Sequence, residues 1–113
     1  MKKTILFFSI VFMISCKDKT SEFLVIGHRG AMGHVMENTM ASIQKAMEMK
    51  VDMIEIDVFR IKDGEIIVFH DDLVDELTDG KGPVEGYDLD NLQTLTLHGN
   101  HKIPTLVQVM DLM

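Results

Sequence analysis

The sequence is poor in cysteine, poor in basic side chains and without a long apolar run, and each shortage removes a class of protein. Its 113 residues hold one cysteine, Cys16, so no intrachain disulfide can form and no zinc-finger cluster exists. Lysine and arginine number 11 against 18 aspartates and glutamates, a formal net charge of −7. Neutralising nucleic-acid phosphates needs a basic surface, so this balance argues against a nucleic-acid partner. The apolar run at residues 4–14 is too short to span ~30 Å of hydrocarbon as a helix, which takes roughly twenty residues. No internal repeat or low-complexity tract is visible. What remains, 46 % hydrophobic and 26 % charged residues, is the composition of a folded globular chain, and the length allows one domain.

The N-terminus reads as an address. Lys2 and Lys3 precede the apolar run, and together they have the form of a secretory signal. The run ends Met13-Ile14-Ser15-Cys16, which resembles the lipobox of bacterial lipoproteins, with methionine where that pattern favours leucine. The expectation is a signal peptide at residues 1–15, a lipidated Cys16, a polar tether at 16–22, and a chain anchored to membrane in the bacterial cell envelope. Removing Lys2 and Lys3 would take the net charge from −7 to −9.

From residue 23 onward the apolar pattern predicts alternating strands and helices. Residues 23–26 read as a buried strand ending at Gly27, and Gly27, Gly30 and Gly33 punctuate a loop. Asn38 or Thr39 can cap a helix running to about Lys50, with Met40, Ile43 and Met47 as its apolar stripe. Residues 51–60 read as one strand. Alternation puts Ile54, Ile56 and Val58 on one side and Met53, Glu55, Asp57 and Phe59 on the other. Lys62-Asp63-Gly64 signals a turn, and a strand at 65–69 runs into His70-Asp71. A short helix is expected at 89–97 and a last one from Ile103-Pro104-Thr105 onward. The order suggests a parallel α/β sheet. The last helix has no following strand, so the chain reads as part of something longer.

Three polar clusters follow predicted strands: His28-Arg29-Gly30, Glu55 with Asp57, and His70-Asp71. In a parallel α/β fold the loops after the strands share one face, where ligand sites form. Glu55 and Asp57, two apart on a strand, project together. Burying both unpaired would cost several kcal/mol each. A hard divalent cation, Mg²⁺ or Ca²⁺, would resolve the repulsion; two ordinary acids on a wet strand face are the plain alternative. His28 and His70 fit a general acid and base pair, since imidazole can serve either role. Arg29 offers a fork of donors to a phosphate, or else a salt bridge to Glu37 or Asp57. His34, His98 and His101 read as surface residues.

The ordered set His28-Arg29-Gly30, Glu37-Asn38-Thr39, Glu55-x-Asp57 and Phe69-His70-Asp71, with Ile103-Pro104-Thr105-Leu106 further on, resembles the glycerophosphodiester phosphodiesterase family. The resemblance implies the N-terminal part of a (β/α)₈ TIM barrel, incomplete in this chain because such a barrel takes about 250 residues. It implies hydrolysis of glycerophosphodiesters to sn-glycerol 3-phosphate and an alcohol. His28 and His70 would be the acid/base pair, Glu55 and Asp57 metal ligands, Arg29 the phosphate contact, and Glu37 and Asn38 site-shaping residues. The family's third acidic ligand lies on a later strand, so the fragment alone is expected to bind metal weakly and not to catalyse. Departures fall at Met32 and Met36 in the glycine loop, at Glu76 where the family has arginine, and at Val107 and Gln108. Two rivals stand beside this reading: a related barrel phospholipase acting on intact lipids or lysolipids, and a non-catalytic lipid-anchored binding protein.

Overall fold

The computed structural model describes residues 23–113. The signal, the tether and Cys16 lie outside the described residues. The elements run β1 (Ile26–Gly27), α1 (Met40–Glu48), β2 (Met53–Ile54), β3 (Val58–Arg60), β4 (Ile66–Val68), a 3₁₀ turn (Val84–Gly86), α2 (Leu89–Thr94) and α3 (Leu106–Leu112). No helix among them is long and apolar enough to cross a membrane.

The strands form two pairs, and only the first is parallel. β1 pairs with β2, Ile26 opposite Met53 and Gly27 opposite Ile54. β3 and β4 form an antiparallel hairpin with Phe59 opposite Ile67. Its turn closes through Ile61 N–H to Glu65 O at 2.9 Å, with Gly64 at φ +91°, a conformation glycine adopts without steric cost. The single strand expected over residues 51–60 is thus divided between two pairs. The cause is a change of backbone partner: Glu55 N–H still reaches back to Gly27 O (2.8 Å), whereas Asp57 O already accepts from Phe69 N–H on the other side (3.0 Å).

The core forms on both faces of β4, as a fully buried strand requires. Ile67 and Phe69 pack with Ile61, Val74, Val84, Leu92, Leu97 and Ile103. Val68, pointing the other way, packs with Ile43 of α1 and Val109 of α3. Both helices are capped by their own sequence. Thr39 accepts from Ser42 N–H and Thr105 from Gln108 N–H, each completing a reciprocal capping box.

Three expectations need correction. Of the α1 stripe, Ile43 is buried and Met40 packs against the same cluster, but Met47 is exposed, and the rest of the buried side is Ser42 and Ala46, small residues against the β1 loop. Residues 23–26 are exposed rather than buried, because among the described residues β1 has a hydrogen-bonded neighbour on one edge only and no layer over these side chains. α2 stops at Thr94, since Leu95 turns extended and Leu97 joins bridges to Thr78 and His101.

The hairpin turn also ties down α2. Asp63 accepts from Leu89 N–H at 2.8 Å and from Glu65 N–H at 3.3 Å. The Leu89 bond holds the Asp63 carboxyl below its ordinary pKa, against a small opposing effect of burial. A depressed carboxyl contributes stability above its unfolded value of about 3.9 and loses it as pH falls through the folded value. Asp63→Ala should therefore be less stable than the parent at pH 7 in urea titrations. The gap should close as the pH drops below about 4.

Candidate active site

The loop after β1 carries His28, Arg29 and Gly30, and its backbone is strained. Arg29 has φ +51° and Gly30 φ +80°. A side chain at position 30 would run into the Ser42 hydroxyl and backbone, so the loop can lie on α1 only with glycine there. The left-handed conformation costs a non-glycine residue roughly 1–2 kcal/mol. Four hydrogen bonds offset it. Arg29 N–H donates to Glu55 Oε2 (3.0 Å) and Gly30 N–H to Glu55 O (3.2 Å). Arg29 O accepts from Asn38 N–H (2.9 Å) and from the Ser42 hydroxyl (3.0 Å). Asn38 is itself left-handed, at φ +51°.

The same loop gathers the acids. Arg29 Nη1 donates to Glu37 Oε1 at 2.8 Å, and its Nε lies 3.4 Å from Asp57 Oδ2. Asn38 holds Asp57 from two sides: Nδ2 donates to Oδ2 (3.0 Å) and Oδ1 accepts Asp57 N–H (3.3 Å). Arg29 thus makes both salt bridges that the sequence allowed as its plain alternative. Burial alone would lower the Arg29 pKa, but the Glu37 hydrogen bond and the charges of Glu37, Asp57 and Asp71 outweigh it and raise it further. Among the described residues, Arg29 Nε is buried without a hydrogen-bond partner.

The Arg29 guanidinium pairs with two carboxylates, Glu37 and Asp57, while the Glu55 carboxylate meets only the Arg29 backbone N–H, so the network carries an excess of negative charge. Only Oε2 of Glu55 and Oδ2 of Asp57 are hydrogen-bonded among the described residues, so each acid keeps one oxygen for another partner. Two free carboxylate oxygens in a negative setting suit a hard divalent cation. Among the described residues no group of three metal-ligating side chains converges, so they supply only part of a coordination shell.

The histidines flank this network. His28 Nε2 lies 3.8 Å from Glu55 Oε2, and the ring is well exposed. His70 follows β4, one residue beyond the Phe69 N–H that bonds Asp57 O. Its Nδ1 contacts Asp71 Oδ1 at 2.6 Å, which leaves Nε2 for another partner. The structure therefore unites His28, Arg29, Glu37, Asn38, Glu55 and Asp57 in one contact network. His70 borders it through the backbone, with no side-chain contact to it among the described residues. His34 and His98 are exposed, as expected, and His98 Nε2 meets Glu76 O at 2.7 Å. A cleft of about 430 Å³ between Lys62, Lys81, Tyr87 and Asn91 contains none of these groups. One participant escaped the sequence reading: Ser42, fully buried, whose signal was a hydroxyl three residues after the Thr39 cap.

Comparison with known proteins is consistent across sequence and structure. The profile of the glycerophosphoryl diester phosphodiesterase family matches residues 28–112. A glycerophosphodiester phosphodiesterase of Caldanaerobacter subterraneus is 41 % identical over 96 residues, covering 79 % of this chain and 40 % of that protein. One of Bacillus subtilis is 36 % identical over 103 residues, covering 78 % and 35 %. Among solved structures, an Oleispira antarctica phosphodiesterase in complex with the product sn-glycerol-3-phosphate superposes with TM-score 0.74 and 35 % identity, over 78 % of this chain and 38 % of that one. The glycerophosphodiester phosphodiesterase of Agrobacterium tumefaciens gives TM-score 0.75 at 31 % identity, over 80 % and 42 %. The α/β arrangement thus corresponds to part of a (β/α)₈ barrel. The chain spans about two fifths of the length of these relatives.

Proposed function

The chain belongs to the glycerophosphoryl diester phosphodiesterase family, and on that premise we propose that its residues 23–113 form part of a barrel that hydrolyses glycerophosphodiesters to sn-glycerol 3-phosphate and an alcohol. The observation that carries this reading is the single network that ties the His28-Arg29 loop to Glu55 and Asp57 while leaving one oxygen free on each acid.

The residues divide the work by their chemistry. A divalent cation, Mg²⁺ or Ca²⁺, held through the free oxygens of Glu55 and Asp57, would supply charge neutralisation at phosphate and acidify a nearby hydroxyl. Arg29 has its Nη2 donors left for a phosphate oxygen, because Glu37 accepts from Nη1 and Asp57 lies on the Nε side at 3.4 Å. Of His28 and His70, one takes the proton of the glycerol 2-hydroxyl as its oxygen attacks phosphorus. The other gives a proton to the departing alcohol. Water then opens the cyclic phosphate with the two roles exchanged. Glu37 and Asn38 keep Arg29 and Asp57 in place. We further propose export by residues 1–15 and anchoring through a lipidated Cys16 on a tether at 16–22, which would keep the site close to a membrane in the bacterial cell envelope.

The test is a chimera in which residues 28–112 replace the matching segment of the Caldanaerobacter relative. It should release glycerol 3-phosphate from glycerophosphocholine and lose that activity on chelation of divalent cations. Hydrolysis of lysophospholipid instead would favour the phospholipase reading, and no turnover of either would favour a binding protein. The 113-residue chain by itself should show no turnover, since its described residues bring only two carboxylates to the ion.

A further inference from the structure

We infer that Ser42 is a positioning residue for Arg29 and Glu55, an inference that rests on the proposed role of these two residues in phosphate and metal binding. Ser42 is fully buried on the inner side of α1. Its hydroxyl lies 3.0 Å from both Arg29 O and Thr39 O, and it accepts Thr39 N–H at 3.2 Å. A serine hydroxyl has one proton and two lone pairs. The proton is shared between the carbonyl of the helix cap and that of the strained arginine. Ser42 O adds a further tie, accepting Ala31 N–H at 3.0 Å.

The consequence is mechanical. The two peptide groups of Arg29 are fixed at opposite ends: its N–H to the Glu55 carboxylate, its C=O to Ser42 and Asn38. Left-handed residues persist only where their surroundings over-determine them. Without the hydroxyl, Arg29 O keeps Asn38 N–H alone, and the peptide can rotate. Its N–H then leaves Glu55 Oε2, and the guanidinium leaves its place between Glu37 and Asp57. A helix residue with no contact to a ligand thereby sets the aim of two groups that have one.

Thr39 provides the control. Thr39→Ala removes the other half of the same capping box, leaving the Ser42–Arg29 bond intact. The experiment follows hydrogen exchange of the Arg29 backbone N–H and of its Nε–H by NMR in the 113-residue chain. Denaturant brings the variants to equal global stability. Ser42→Ala should speed both exchanges about tenfold over Thr39→Ala, the loss of roughly one hydrogen bond. Equal exchange in the two variants overturns the inference. If Ser42→Ala does not fold, Ser42→Cys, which keeps the volume and weakens the hydrogen bond, is read the same way. A titration of the parent chain with sn-glycerol 3-phosphate, followed at Arg29 Nε–H, separates the two ideas. An unmoved resonance counts against phosphate binding, while the exchange comparison still decides the role of Ser42.

Discussion

His70→Ala and His28→Ala, each placed in the chimeric barrel, should lower turnover of glycerophosphocholine by about 10²–10⁴-fold with little change in stability. The stability part follows from exposure: both rings are largely solvent-facing, and neither belongs to a core cluster. The catalytic part follows from proton accounting. Attack by a hydroxyl and departure of an alcohol each require a proton to move, and two imidazoles border the two acids from different loops. Removing either leaves one transfer to bulk water. A leaving group that needs no protonation, such as a nitrophenol, separates the roles. The histidine that serves as acid should lose most of its effect on that substrate, whereas the base should keep it. Variants that lose less than tenfold on the natural diester would exclude a direct part in the chemistry.

Arg29→Met should destabilise the fold by about 2–3 kcal/mol at pH 7. Breaking a buried ion pair by removing one partner costs 3–5 kcal/mol when the remaining charge is fully buried. Here the side chains are 18 % exposed at Arg29, 16 % at Glu37 and 28 % at Asp57, so water reaches them in part and the loss falls below that range. Glu37 would lose its 2.8 Å partner, and Asp57 would be left with the Asn38 amide. Arg29→Lys should recover only part of the loss, because an ammonium cannot reach along two directions as the guanidinium does. Urea unfolding at pH 7 measures both. A loss under about 0.5 kcal/mol for the methionine variant would mean that the cluster is solvated and the pairing incidental.

Much of this arrangement could be read from residue types and spacing. Thr39 as a cap and Gly64 in a hairpin turn both follow from local rules, because each depends on neighbours close in sequence. The break between β2 and β3 could not be read that way. Residues 51–60 alternate as one strand should, and only the switch of partner from Gly27 to Phe69 divides them. The inward side of α1 was hidden for a similar reason. Met47 has the right spacing for a core stripe yet is exposed, while Ser42 and Ala46 are buried because the glycine loop after β1 packs on them. At the site, the residue types suggest an ion and a phosphate as partners. They leave Arg29 open between a phosphate and a salt bridge to Glu37 or Asp57; that it meets both acids depends on a left-handed backbone at positions 29 and 38.

The proposed joint site at the ends of β1, β2 and β4 can be tested with manganese, a paramagnetic stand-in for a hard divalent cation, added below stoichiometry to the labelled chain. Broadening of NMR signals should centre on Glu55 and Asp57, reach His28, Arg29, Asn38 and His70, and vanish in the Glu55→Ala, Asp57→Ala double variant. Broadening centred instead on the acidic cleft of Asp71, Asp72, Asp75 and Glu76, and unchanged by that double variant, would contradict it.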